Sequence, residues 1–279
     1  MDFTFEFGET AEAEEFFARH PNFYPAFEQM HALINRCFDR ALPEPRYGPD
    51  YIRFSLGETC REDFLEILFM AANGYGAAAL KLLRGLYERA VALAYMVKDP
   101  AKTERFARFA AIQEHKALKE GLKLTTEEHW NAIMNPRNAA SEIRSRFEEV
   151  KQKFEQTDCK KCQTKRLAIT WDLDVASMVA KVGTPYVQYY FMAYTNANLQ
   201  IHATLASALR EDNKDPDTRR RNRQLEADTA LFCATMLMIE VIREQNTLFE
   251  LRLGDRAQST QDAMAKVWQE LIDARKSGQ

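Results

Sequence analysis

The stretch "LKLLRGLYERAVALAYMVKDP", Leu80 to Pro100, decides the fold. It runs without a proline until Asp99-Pro100, where the ring disfavours helix in the residue before it. Apolar side chains cover most of a helical wheel, so other elements must pack around it. Only a narrow arc stays polar or small: Lys81, Arg84, Gly85, Glu88, Arg89 and Ala92. Helical patterning extends back to Arg61, with a break or close approach expected at Asn73–Gly76, "NGYG". A segment of this kind predicts an all-α protein built as a helical bundle.

The rest of the chain agrees. Glycine (10) and proline (9) are scarce for 279 residues, and alternating strand patterns are hard to find. "ETAEAEEFFARH" and "YPAFEQMHALINRCFDRAL" read as two helices split by Pro21. "PEPRYGPDY" then reads as a loop, which places a boundary between an N-terminal helical appendage, 1–58, and a main bundle, 59–279. Further helices are expected in "AKTERFARFAAIQEHKALKEGL", "SEIRSRFEEVKQKFEQ", "DVASMVAKVG" and "PYVQYYFMAYTNANLQIHATLASALR". A long buried helix follows, "LEADTALFCATMLMIEVIREQNTLFELRLG", and a last one is capped at Ser259 or Thr260. The net charge of -3 argues against a general nucleic-acid binder while leaving room for a local patch. No apolar run reaches the roughly 20 residues of a membrane span. An acidic N-terminus and five scattered cysteines point to reduced thiols and a cytoplasmic protein.

One polar constellation stands out. On an ideal wheel Val187, Phe191, Ile201, Leu205 and Leu209 share a face, with Tyr194 and Asn198 near its centre and His202 at its edge. Tyr190, Tyr194, Asn198 and His202 recur every four residues and form one ridge. A buried asparagine left without a partner costs about 1–3 kcal/mol, so Asn198 predicts a polar partner on another helix. Arg84 and Glu88 are the candidates, because Ala77, Ala78, Gly85 and Ala92 beside them are small enough for close approach. The competing reading makes Arg84–Glu88 an ordinary solvated pair.

Other motifs carry less. Cys159-Lys-Lys-Cys162 has zinc-knuckle spacing but lacks a second ligand pair, so a plain turn and no metal are expected. Arg219, Arg220, Arg221 and Arg223 are offset by Glu211, Asp212, Asp215 and Asp217, which suits a solvated connector. Glu114-His115 and Glu128-His129 are adjacent and miss the Glu-x-x-His spacing of di-iron sites. No phosphate-binding glycine loop or nucleophile elbow is present, and no cofactor is implied.

"LRGLYERAVALAYMVKDP", with "RFARFA", Trp171 and "YYFMAYTNANLQIHAT", resembles the domain of unknown function 5677, a bacterial helical family. The resemblance covers roughly Cys60 to Leu253, and Arg84, Glu88, Tyr190, Tyr194 and His202 fall on its motif positions. Asn198 departs from the serine usual there. The helix pattern is similar to the HEPN class (higher eukaryotes and prokaryotes nucleotide-binding), which includes RNA-cleaving toxins. Arg108 and His115 in "RFAAIQEH" echo the spacing of that class, though Phe109 stands where a polar residue is usual.

Two functions stay open. In the first, a HEPN-like defence or stress protein acts on RNA without a metal. Arg84 steadies phosphate charge, His202 serves as general acid or base, Glu88 orients one of them, and Tyr190, Tyr194 and Asn198 line the ligand site. In the second, a homodimeric interaction protein uses the same network only to fix packing.

Overall fold

The computed structural model describes residues 10–159, 164–201 and 215–276. Its helices are α1 (Thr10–Arg19), α2 (Phe23–Phe38), α3 (Pro49–Ala72), α4 (Gly76–Lys98), α5 (Lys102–Gly121), α6 (Glu127–Ile133) and α7 (Ala140–Phe154). A hairpin of β1 (Glu155–Cys159) and β2 (Thr164–Leu167) follows, then α8 (Val175–Val182), α9 (Tyr186–Tyr189), a π-helical segment (Tyr190–Thr195) and α10 (Asn196–Ile201). The chain continues with α11 (Pro216–Phe249) and α12 (Gly254–Lys276). The protein is all-α apart from that hairpin, whose antiparallel strands pair Glu155 with Leu167 and carry a bulge between Thr157 and Cys159.

Two compact units emerge. One runs up to Lys98 and resumes at Met178, and the other spans Asp99–Ser177. In the first, α3, α4 and α11 pack on one another. Leu80, Leu83, Leu86, Tyr87, Val91 and Leu93 of α4 are fully buried, as the all-round apolar wheel requires. Each such side chain contributes about 1.5–3 kcal/mol relative to exposure. The α3–α4 turn carries Gly74 at φ +80°, a left-handed conformation that glycine adopts without strain. Gly76 lets α4 approach α11 closely: a Cβ there would lie 2.7 Å from the Ala227 nitrogen, and the Arg223 carbonyl is nearer still.

Residues 10–58 belong to this same unit, and position 58 falls inside α3. The reason is aromatic. Phe16 of α1 and Phe23 of α2 are buried and meet edge-on at 5.2 Å, and Phe23 reaches Trp268 of α12 at 6.3 Å. The loop expected to run through Tyr51 ends three residues earlier, at Gly48, because Pro49 occupies the first turn of α3, where its missing N–H does no harm. Asp215 caps α11, accepting from the Asp217 and Thr218 nitrogens, so the arginine cluster lies within that helix instead of in a connector. α12 starts at Gly254 instead of at a Ser259 or Thr260 cap. Glu250 turns left-handed (φ 51°) and Asn246 Oδ1 accepts from the Leu253 N–H.

In the second unit, α5 packs on α7. Leu118, Trp130, Ala140 and Ile143 form its small core, and Trp130 Nε1 donates to the Asn138 carbonyl at 3.0 Å. Phe109 meets Phe154 at 5.3 Å, and Phe106 meets Trp171 at 5.2 Å. Among the described residues, no helix is long and apolar enough to cross a membrane.

Candidate functional site

Arg84 and Glu88 sit one turn apart on α4, and Arg84 Nε donates to Glu88 Oε1 at 2.9 Å. Their side chains are 26% and 38% exposed, so the pair is half-buried, between the two alternatives the sequence allows. The guanidinium carbon lies 5.3 Å from the centre of the Tyr194 ring, a cation–π distance. Tyr190 lies 5.3 Å from Tyr194, and both rings approach Tyr87 of α4, at 6.2 and 6.0 Å. Tyr87 Oη donates to the Tyr186 carbonyl at 2.8 Å. Burial, with Tyr190 and Tyr194 adding to it, pushes the Tyr87 phenol well above its ordinary range. Among the described residues, the Nη groups of Arg84 make no hydrogen bond.

The segment that carries the tyrosines is not the continuous α-helix that its four-residue rhythm suggests. Tyr190–Thr195 is π-helical, between four residues of α9 and six of α10. An ideal wheel therefore assigns the wrong face. Val187 (50%), Phe191 (70%) and Leu199 (51%) are exposed, whereas Tyr186, Ala193 and Ala197 are buried. Small alanines suit the contacts that the π segment and α10 make with α4. Asn198 is half-buried, and its Oδ1 is enclosed without a hydrogen-bond partner among the described residues. His202, together with Leu205 and Leu209, lies outside the described residues.

Sequence reasoning missed a second polar cluster. Glu240 and Glu244 stand one turn apart on α11, and Tyr186 Oη donates to Glu244 Oε1 at 3.4 Å. Burial, reinforced by Glu240, pushes the Glu244 carboxyl up to about 7. Burial also raises Glu240, against the opposing charge of Arg243, with which it pairs. Tyr186 is raised strongly by its own burial and then by Glu244. Nearby, Asp63 of α3 pairs with Arg89 of α4 at 2.9 Å, and burial outweighs that arginine to lift Asp63 to about 6. A visible signal was there: Glu240 stands in "TMLMIEVIREQ", between the apolar runs Met236–Ile239 and Val241–Ile242.

Arg108 pairs with Glu104, and His115 stacks on Phe147 at 3.7 Å, so these two residues serve different contacts. Cys162 and the side chain of Cys159 lie outside the described residues. Cys37, Cys60 and Cys233 are buried free thiols, and burial pushes Cys37 and Cys233 up to about 12. Among the described residues, no group of three His, Cys, Asp or Glu is placed to hold a metal.

Fold and site together define an all-helical protein with an arginine–glutamate pair set against a tyrosine-rich π turn. The chain belongs to a family of unknown function (DUF5677), whose model matches residues 54–218. The match begins within α3, takes in α4 to α10 and reaches only the first turn of α11, short of the Leu253 that the resemblance suggested. Neither the curated proteins nor the solved structures contain a match to this chain.

Proposed function

We propose that this chain is a cytoplasmic HEPN-like protein that acts on RNA at the α4–π turn face. The observation that carries this reading is the setting of Arg84. Glu88 holds its Nε and Tyr194 supports its plane, while the Nη edge makes no hydrogen bond among the described residues. A guanidinium fixed in this way is pre-oriented for two parallel hydrogen bonds to a phosphate. Tyr190 and Tyr194 offer ring faces on which an unpaired base can stack. Asn198 brings an unpartnered amide oxygen for a base or ribose donor. His202, carried from the sequence reading, is assigned the general acid or base, and Arg84 supplies the positive charge that such a reaction needs at the phosphate.

Fluorescence anisotropy with a short single-stranded RNA tests this. Arg84→Ala and Tyr194→Ala should each weaken binding by roughly tenfold or more, as expected for one phosphate clamp or one stacked base. Because the Arg84–Glu88 pair is half-exposed, Arg84→Ala should cost at most about 1 kcal/mol of stability. His202→Ala should remove cleavage while leaving binding in place. RNA that fails to bind, or binds Arg84→Ala as well as wild type, refutes the reading.

A second reading has its own support. Val187 and Phe191 are exposed apolar residues one turn apart, with Leu199 also exposed in α10. Such side chains suit a homodimer contact in a non-catalytic interaction protein. Phe191→Asp would then convert a dimer to a monomer in sedimentation, with RNA affinity absent in both.

A further inference from the structure

Apart from the tyrosine site, α1, α11 and α12 line an open cleft of about 630 Å³. Arg19, Arg221 and Arg275 line it, with Asn222 and the apolar Leu225 and Leu271. We propose that this cleft binds a small organic phosphate, its phosphate groups on the three arginines and its non-polar part against the two leucines.

Asp228 is the positioning device. It is only 3% exposed, and its Oδ2 receives Arg19 Nη1 at 3.0 Å and Arg275 Nη2 at 2.5 Å. The other oxygen lies 3.1 Å from Nε2 of the buried His20, whose Nδ1 bonds the Phe16 carbonyl at 2.8 Å. One buried carboxylate thereby fixes two guanidiniums contributed by different helices, and little side-chain freedom remains to be lost when a ligand arrives. Neither arginine is sealed, since their side chains are 24% and 41% exposed. Arg221 stands on the exposed side of α11, with its Nη2 only 3.3 Å from Thr218 Oγ1.

The charges do not cancel. Three lining arginines face two carboxylates, Asp228 and, beside Arg221, Asp215, which leaves one positive charge at the wall. Glu15 is taken up by Arg220 and by Gln224 Nε2. Excess positive charge selects an anion, and planar guanidiniums favour phosphate through paired hydrogen bonds. Leu225, 51% exposed, gains cover only if the ligand has a non-polar part. The volume falls in the range of small-molecule pockets. None of these residues except Arg19 and Ala18 precedes the family match, and the arginines of α11 and α12 follow it, so the site is separate from the tyrosine face.

Calorimetry on the full chain at low salt, with pyrophosphate and with adenosine diphosphate as probes, decides the matter. Both should bind, and adenosine diphosphate more tightly. Arg221→Ala, which leaves the Asp228 contacts intact, and Arg275→Ala should each weaken binding roughly tenfold or more. Ala274→Trp, which fills the cleft, should abolish it. Arg84→Ala should have no effect, so loss of RNA binding at the tyrosine face and loss of this site are told apart. The proposal is overturned if neither probe binds at millimolar concentration, or if the two bind equally. It is equally overturned if Arg221→Ala and Ala274→Trp leave affinity unchanged, or if an RNA oligomer outcompetes adenosine diphosphate here.

Discussion

Replacing Glu244 by glutamine should make the protein more stable, and only at the alkaline end of its range. The Glu244 carboxyl is raised from 4.5 to about 7 by burial and by Glu240. At 1.36 kcal/mol for each factor of ten, that displacement amounts to about 3 kcal/mol. Below pH 4.5 the group is protonated in folded and unfolded chains alike and has no effect on stability. Between about 4.5 and 7 the unfolded chain ionises while the folded chain keeps its proton, so stability falls as pH rises. Above 7 the loss is complete. Glu244→Gln abolishes this slope, and its amide oxygen still accepts from the Tyr186 hydroxyl. The variant should match wild type at pH 4.5 and exceed it by about 2–3 kcal/mol at pH 8.5, a rise of roughly 5–10 °C in melting temperature. Urea denaturation at pH 4.5, 6 and 8.5 measures the difference directly. A variant less stable than wild type at pH 8.5, or equally stabilised at all three values, would refute the reasoning.

Gly76→Ala should destabilise by about 1–3 kcal/mol, because its Cβ meets α11 backbone atoms, among them the Ala227 nitrogen at 2.7 Å, which yield less readily than a side chain. Gly85→Ala on the same helix meets only the Arg89 side chain and should cost less, a contrast that thermal melts would show. His20→Ala removes a fully buried ring that stacks on Phe16 at 4.5 Å and donates its Nδ1–H to the Phe16 carbonyl, and should lower unfolding free energy by about 2–4 kcal/mol in urea. A loss below 0.5 kcal/mol, on the order of an ordinary surface change, would show that the ring adds little to the packing of α1.

What could be read from the chain follows from where physics is local. α4 was legible because an apolar wheel with one polar arc admits little besides a covered helix, and Pro100 marks its end. Gly183 likewise marked the end of α8, and it stands at φ +85°. β1 and β2 were illegible because "EQTDC" and "TKRL" alternate no apolar face; their pairing rests on backbone bonds that side-chain patterns do not announce. The membership of α1 and α2 in the first unit depended on Trp268, more than 240 residues from Phe16 and Phe23. At the candidate site, Arg84, Glu88 and the tyrosines could be picked out by type and spacing. Which neighbours were buried could not, since the wheel assumes a constant turn through Tyr190–Thr195.

That π turn has a consequence for the length of the chain as well as its composition. A π turn holds one more residue than the α turn it replaces. It absorbs an inserted residue without breaking the helix, and so sets the phase between Tyr186–Tyr189 and Asn196–Ile201. Removing one residue from Tyr190–Thr195 would restore an unbroken α-helix and leave Asn196–Ile201 nearly in phase, with Ala197 still on α4. The change would fall on the turn itself, where the aim of the Tyr190 and Tyr194 rings at Tyr87 depends on the wider coil. The rings that this segment presents are thus fixed by a residue count, and two chains of near-identical composition but unequal length here would display different faces to whatever meets them.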